Sequence, residues 1–149
     1  MVTKLKLSRS QKREGSFLLL YQSTLNDSSI DDIVSANVEE FEMLLGGDEV
    51  IVSTAKLALD NTKKADEIIN KYSPKRKIER ISKIPLSIMR LALYEMDCLP
   101  DTGDDALPDK VAINEAIELC KKYAGESDSK FISGLLGNYY REKHGGKFE

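Results

Sequence analysis

The stretch 84–98, I-P-L-S-I-M-R-L-A-L-Y-E-M-D-C, decides the fold. Pro85 suits a first helical position, where its missing N–H costs nothing and its fixed φ matches the helix. Beyond it Leu86, Ile88, Met89, Leu91, Ala92, Leu93 and Met96 leave almost no polar face. A helix that is apolar nearly all round belongs inside a bundle, touched on several sides by other helices. It is too short, and too interrupted by Arg90 and Glu95, to span a membrane. Arg90 has Leu86, Ser87, Leu93 and Tyr94 three and four positions away, so no carboxylate lies within local reach. Its guanidinium needs a tertiary partner: a structural ion pair with Glu95 or Glu115, or a phosphate.

Working outward, every other apolar run has helical spacing. Ser8 is placed to cap a helix from about Arg9 to Leu25, with Phe17, Leu18, Leu20 and Tyr21 inward and Leu25 extending the face. Ser29 opens a second helix with Asp32 in the capping-box position, and its stripe of Ile30, Ile33, Val34, Val38, Phe41, Leu44 and Leu45 stops at Gly46-Gly47. Asp48 opens a third, long helix to about Tyr72, with Asn61-Thr62 as a bend and Ser73-Pro74 as its end. A short basic helix over 75–83 leads into the central one. Residues 99–109 read as an acidic loop between two prolines, a pattern that predicts mobility. Two further helices cover about 109–124, closed by Gly125, and from Ser127 or Asp128 to about Arg141, where Gly134 suggests close approach of a neighbouring backbone. Residues 1–8 read as a basic arm and those from His144 onward as a frayed tail. The pattern predicts an all-α chain of about seven helices forming one domain over 1–149.

Charge is distributed unevenly. The net charge is −3, yet residues 1–13 carry Lys4, Lys6, Arg9, Lys12 and Arg13 with no acid. Residues 71–83 add Lys71, Lys75, Arg76, Lys77, Arg80 and Lys83 against Glu79 alone. Residues 26–50 hold eight acids and no base, and 97–109 hold five acids and no base. An anionic partner is drawn to such basic segments locally. Arg9 and Arg13 are four apart on the exposed first turns of their helix, a spacing that sets two guanidinium groups along a phosphate backbone or simply makes a solvated basic end. Lys130-Phe131 stands at the start of the last helix, whose free N–H groups favour anions. Phe131 is either core or a stacking surface for a single-stranded base.

No catalytic signature is present: no phosphate-binding G-x-x-x-x-G-K-[ST], no G-x-S-x-G, no H-E-x-x-H. A Ser–His–Asp arrangement would have to use His144 in the tail. With one histidine and no clustered ligands, neither a metal nor a cofactor is expected. Cys98 and Cys120 read as reduced, buried core residues of a cytoplasmic protein, and no signal peptide is apparent.

The blocks R-S-Q-K-R-E-G-S-F-L-L-L-Y-Q at 9–22, I-M-R-L-A-L-Y-E at 88–95, K-V-A-I-N-E-A-I-E-L-C-K-K-Y at 110–123 and G-E-S-D-S-K-F-I-S-G-L-L at 125–136 closely resemble, in order, the bacterial transcription antitermination factor NusB family. The resemblance implies two three-helix bundles in one domain. It implies binding to single-stranded boxA RNA of ribosomal operons, together with the ribosomal protein NusE, within an antitermination complex on RNA polymerase. It assigns Arg9, Lys12, Arg13, Arg90, Ser127, Lys130 and Phe131 to the RNA surface and Tyr21 to the NusE side. The mechanism expects the positive start of the first helix and the Lys130-Phe131 corner to share a single accessible face. Departures from the family are Lys12 where a small residue is usual, Met89 for Leu, Arg76 for a frequent Trp, Ser133 for Asn, and a longer acidic loop. Two other functions stay open: a helical adaptor or homodimer, and a relative of the NusB-like N-terminal domain of an RNA cytosine methyltransferase.

Overall fold

In the computed structural model, residues 7–100, 102–103 and 106–145 are described. Among them are eight α-helices and no strand: α1 Arg9–Asn26, α2 Ile30–Ala36, α3 Val38–Leu45, α4 Glu49–Asp60, α5 Thr62–Tyr72, α6 Lys83–Cys98, α7 Asp109–Tyr123 and α8 Glu126–Lys143. The all-helical expectation is met, with eight helices for about seven. The chain divides between Asp60 and Asn61 into two compact units. The basic arm at 1–6, Asp101, Asp104 and Asp105 of the acidic loop, and the tail at 146–149 lie outside the described residues.

In the first unit, α1, α2 and α4 pack on one another and α3 rests against α2. Ser8 caps α1 as its sequence predicts: its hydroxyl accepts from Gln11 N–H at 3.1 Å while the Gln11 side chain accepts from Ser8 N–H at 2.8 Å. That reciprocal pair satisfies two backbone donors that a helix start otherwise leaves to water. Leu19, Ile30, Ile33, Ile51 and Ala55 form the core, with Phe41, Val52 and Leu59 packed against it. Each large aliphatic side chain buried there contributes about 1.5–3 kcal/mol. Ser16 Oγ donates to Ile51 C=O at 2.9 Å, pinning α1 to α4.

Two expected helices are broken in two. At Asn37 the backbone leaves helical geometry (φ −130°, ψ 36°) and the side-chain amide donates to Ile33 C=O at 2.8 Å. An asparagine competing for the helix's own carbonyls ends α2 there. The turn also shifts the phase of the apolar stripe, so Val38 and Leu44 point outward at 44% and 68% exposure while Phe41 stays in. Gly46 and Gly47, at φ 64° and 65°, stop α3 in the left-handed region as expected. The long third helix is interrupted at Asn61, where the bend is expected, and is divided into α4 and α5.

The second unit is organised around α6, which packs on α5, α7 and α8. Leu86, Ile88, Met89, Leu91, Ala92, Leu93 and Met96 are all at most 2% exposed, as an all-round apolar helix requires. The helix begins earlier than expected, after Ser82, so Pro85 is its third residue. That position still falls among the first four N–H groups, which have no intrahelical partner to lose. In place of a basic helix over 75–83 there is one 3-10 turn, Ile78–Arg80. The start of α8 is also corrected: Gly125 precedes it, and Ser127 and Asp128 lie inside its first turn. Gly134 is exposed, with no atom within 4 Å of where a Cβ would stand, so no neighbouring backbone approaches it. Cys120 is buried, which pushes its thiol pKa up, but Cys98 is exposed.

His144 is held rather than frayed. Its Nε2 lies 2.9 Å from Asp109 Oδ2, and its ring lies against Tyr140 at 4.2 Å. Lys143 also reaches Asp109 at 2.9 Å, so a carboxylate only 2% exposed at the head of α7 gathers the end of α8.

Candidate nucleic-acid interface

The sequence-selected residues fall into three environments. In the first unit, Arg9 is exposed, Lys12 is half-buried and Arg13 is only 8% exposed. The expected exposed pair of arginines therefore loses one member. Arg13 lies three and four residues before the buried Ser16 and Phe17, so the same helical spacing that faces it towards Arg9 puts it on the inward stripe. Lys12 Nζ lies 3.5 Å from Asp48. Tyr21 is half-buried with its ring stacked on Phe17 at 6.1 Å between centroids, which leaves part of the side chain at the surface.

In the second unit Arg90 has a partner that neighbour counting on its own helix could not supply. Its Nε and one terminal nitrogen donate to the two carboxylate oxygens of Asp66, each at 2.9 Å. The expected carboxylates, Glu95 and Glu115, are replaced by one from α5. A planar fork on a planar carboxylate fixes both groups, and with Arg90's side chain only 11% exposed it ties α5 to α6.

The third environment is a basic corner on the second unit. Lys75, Arg76, Lys77, Arg80 and Lys83 are exposed along the segment between α5 and α6. Ile78, half-buried, and Ile81, 2% exposed, anchor that segment and leave its cations outside. Among the described residues Lys75, Lys77, Arg80, Lys83 and Lys130 have no ion-pair partner. The turn at Ser73 is closed twice: Arg76 N–H donates to Ser73 C=O at 3.2 Å, and the buried Ser73 hydroxyl donates to Arg76 C=O at 2.9 Å. This carries the Arg76 guanidinium over the ring of Phe131 at 4.5 Å from the centroid, a cation–π contact. A hollow of about 310 Å³ opens beside them, lined by Tyr72, Ser73, Pro74, Lys75, Arg76 and Phe131. Lys130 and Ser127 are exposed on the first turns of α8. Phe131 is thus neither sealed core nor an open platform: it is half-buried and an arginine covers it. The sequence shows Arg76 as a departure from the family and 71–83 as basic, but no local pattern connects either to Phe131.

Behind this corner Lys71 donates to Glu142 at 2.6 Å, and the Tyr72 hydroxyl donates to the same carboxylate. The lysine contact first, then the tyrosine one, holds the Glu142 carboxyl below its ordinary pKa. A second hollow, about 290 Å³, lies between α7 and α8 beside Lys110, Asn114 and Ser133. No helix among the described residues is long and apolar enough to cross a membrane.

Comparison with solved structures gives the class. T. maritima NusB is 27% identical, with a TM-score of 0.73 over 93% of this chain and 94% of that one. A structure of antitermination factors NusB and NusE in complex with double-stranded RNA shares the fold at 24% identity and a TM-score of 0.74, over 90% of this chain and 96% of that one. The architecture is that of the NusB-type helical proteins. The NusB family model matches residues 10–141, and the chain belongs to that family. Among its relatives, the transcription antitermination protein NusB of Acetivibrio thermocellus is 36% identical over 92% of this chain and 91% of its own. The same-named protein of Clostridium botulinum (strain Alaska E43) is 34% identical over 91% of this chain and all of its own.

Proposed function

We propose that the protein is a non-catalytic antitermination factor that binds the single-stranded boxA RNA of ribosomal operons together with NusE, in the cytoplasm, as part of the complex on RNA polymerase. The observation that carries this is the exposed basic corner around Phe131 in a chain of the NusB family. Cations without an ion-pair partner are free to neutralise backbone phosphates and release the counterions condensed on them, and this term supplies much of the affinity for RNA. Lys130, Ser127 and Phe131 are assigned to RNA in the second unit, and Arg9 and Lys12, separately, in the first. Arg90 serves by tying α6 to α5 through Asp66, and Arg13 is buried on the inward side of α1. Tyr21 is assigned to the NusE side.

Filter binding to boxA RNA, to a scrambled single strand and to a boxA duplex, at two salt concentrations and with and without NusE, tests the proposal. The expected result is preference for the single-stranded boxA sequence, steep loss with salt, and tighter binding with NusE. Equal affinity for boxA and scrambled RNA in the presence of NusE overturns it.

A further inference from the structure

We propose that the nucleotide-contacting group at this corner is Arg76, and that Phe131 acts through it as a positioning residue. The inference rests on the RNA-binding function and deepens it. The Arg76 guanidinium already occupies the side of the Phe131 ring that lies 4.5 Å away, so a base approaching from that side meets the guanidinium and not the ring. A guanidinium plane is itself a surface on which unstacked bases lie, and its in-plane donors match a phosphate. Arg76 is exposed beyond its contact with the ring, and the Ser73 turn fixes its backbone through two hydrogen bonds. The adjoining hollow of about 310 Å³ is of a size for one nucleotide unit, at the small end of ligand pockets. Lys75 stands on its rim with a second positive charge. One nucleotide of a single strand enters this hollow, with its base on the guanidinium and its phosphate between Arg76 and Lys75.

A double-mutant cycle separates this from direct stacking on Phe131. Affinities for boxA RNA and for a scrambled single strand of the same length are measured for the wild type, Arg76→Ala, Phe131→Leu and the double variant, with Lys63→Ala as a control for loss of one exposed charge. Arg76→Ala is expected to weaken binding about tenfold, well beyond Lys63→Ala, with Arg76→Lys restoring only part of it. Phe131→Leu is expected to weaken binding in the wild type and to have almost no effect once Arg76 is gone. Additive effects of the two substitutions overturn the proposal, because they mean that Phe131 touches the base itself. So does an Arg76→Ala variant that binds like Lys63→Ala. If the wild type binds both RNAs alike, the boxA assignment fails while the cycle on either RNA still decides the role of Arg76. If no RNA binds at all, both fall.

Discussion

Arg13 in the first unit and Arg76 in the second stand in basic stretches of similar density, yet Arg13 is 8% exposed and Arg76 lies open to solvent beside a hollow. The difference comes from the backbone that carries them. A helix imposes a phase: once Phe17 and Leu20 point into the core, a residue at Arg13 turns inward with them, whatever its charge. The segment between α5 and α6 has only one 3-10 turn, so two isoleucines anchor it and its cations face outward. On α1 the charge at Arg13 is drawn inward by the helical phase, whereas the cations on the anchored turn face solvent.

The sharpest way to break this comparison is Arg90, the other arginine drawn into the fold, here by its Asp66 partner. Arg90→Ala leaves the Asp66 carboxylate without its fork and is expected to lower stability by about 2 kcal/mol in a urea unfolding curve, the partial exposure of Asp66 keeping the cost below that of a fully buried pair. Asp66→Ala should cost a similar amount. RNA affinity of the folded Arg90→Ala protein should be close to that of the wild type. A large loss of affinity at unchanged stability would put Arg90 on the RNA surface after all.

The turn is tested from the other side. Replacing Lys75, Arg80 and Lys83 together by Ala is expected to leave the unfolding curve almost unmoved, since none of the three is ion-paired among the described residues. It should reduce the slope of log affinity against log salt by about 2, at roughly 0.7 per phosphate contact on a single strand. An unchanged slope would mean that these cations are ordinary surface charge. Arg9→Ala alone should give a smaller change in slope. Combining it with Arg13→Ala mixes a lost phosphate contact with a loss of stability, so the single variant is the cleaner test.

How legible this was varies with the range of the interaction. The Ser8 and Ser29 caps, the Gly46-Gly47 stop and the buried run of α6 were readable, because each is set by residues within one or two turns. The break at Asn37 was not, since a helical stripe continues across it and only the side-chain bond to Ile33 shows that the helix has ended. Burial of Arg13 was readable in principle from its spacing to Ser16 and Phe17, but its charge argued the other way. The Arg90–Asp66 and Arg76–Phe131 contacts join residues far apart in sequence, and no local pattern encodes them. The basic stretch at 71–83 was therefore legible as charge, while the way Arg76 and Phe131 combine was not.

The capping box of α1 offers a smaller effect. Ser8→Ala removes the acceptor for Gln11 N–H and is expected to cost about 1 kcal/mol in the same urea experiment. Because this box fixes where α1 begins, the RNA contacts proposed for Arg9 should weaken with it, whereas the contribution proposed for the Arg76 corner should stay as it is. A uniform loss across both would contradict the separate roles given to the two units.

The smallest effect concerns pH. Glu142 is held below its ordinary pKa by Lys71 and then by the Tyr72 hydroxyl, so its ionised form is favoured in the folded protein relative to the unfolded chain. The sign follows from linkage: a carboxyl with a depressed folded pKa adds stability above its unfolded value, and loses it as pH falls towards the folded one. The loss therefore begins as pH drops through about 4.5, the ordinary value, and continues below it. The group lies at the surface, so solvent and salt screen the contact and its contribution is small. Glu142→Gln should flatten the acid side of the stability profile slightly and leave it unchanged near neutrality except for the lost ion pair. Because Tyr72 also lines the hollow beside Arg76, the same variant should loosen that wall. A modest fall in RNA affinity at neutral pH is therefore expected, smaller than that of Arg76→Ala. A fall as large as that of Arg76→Ala would shift the weight of the site from the guanidinium to the Tyr72 wall.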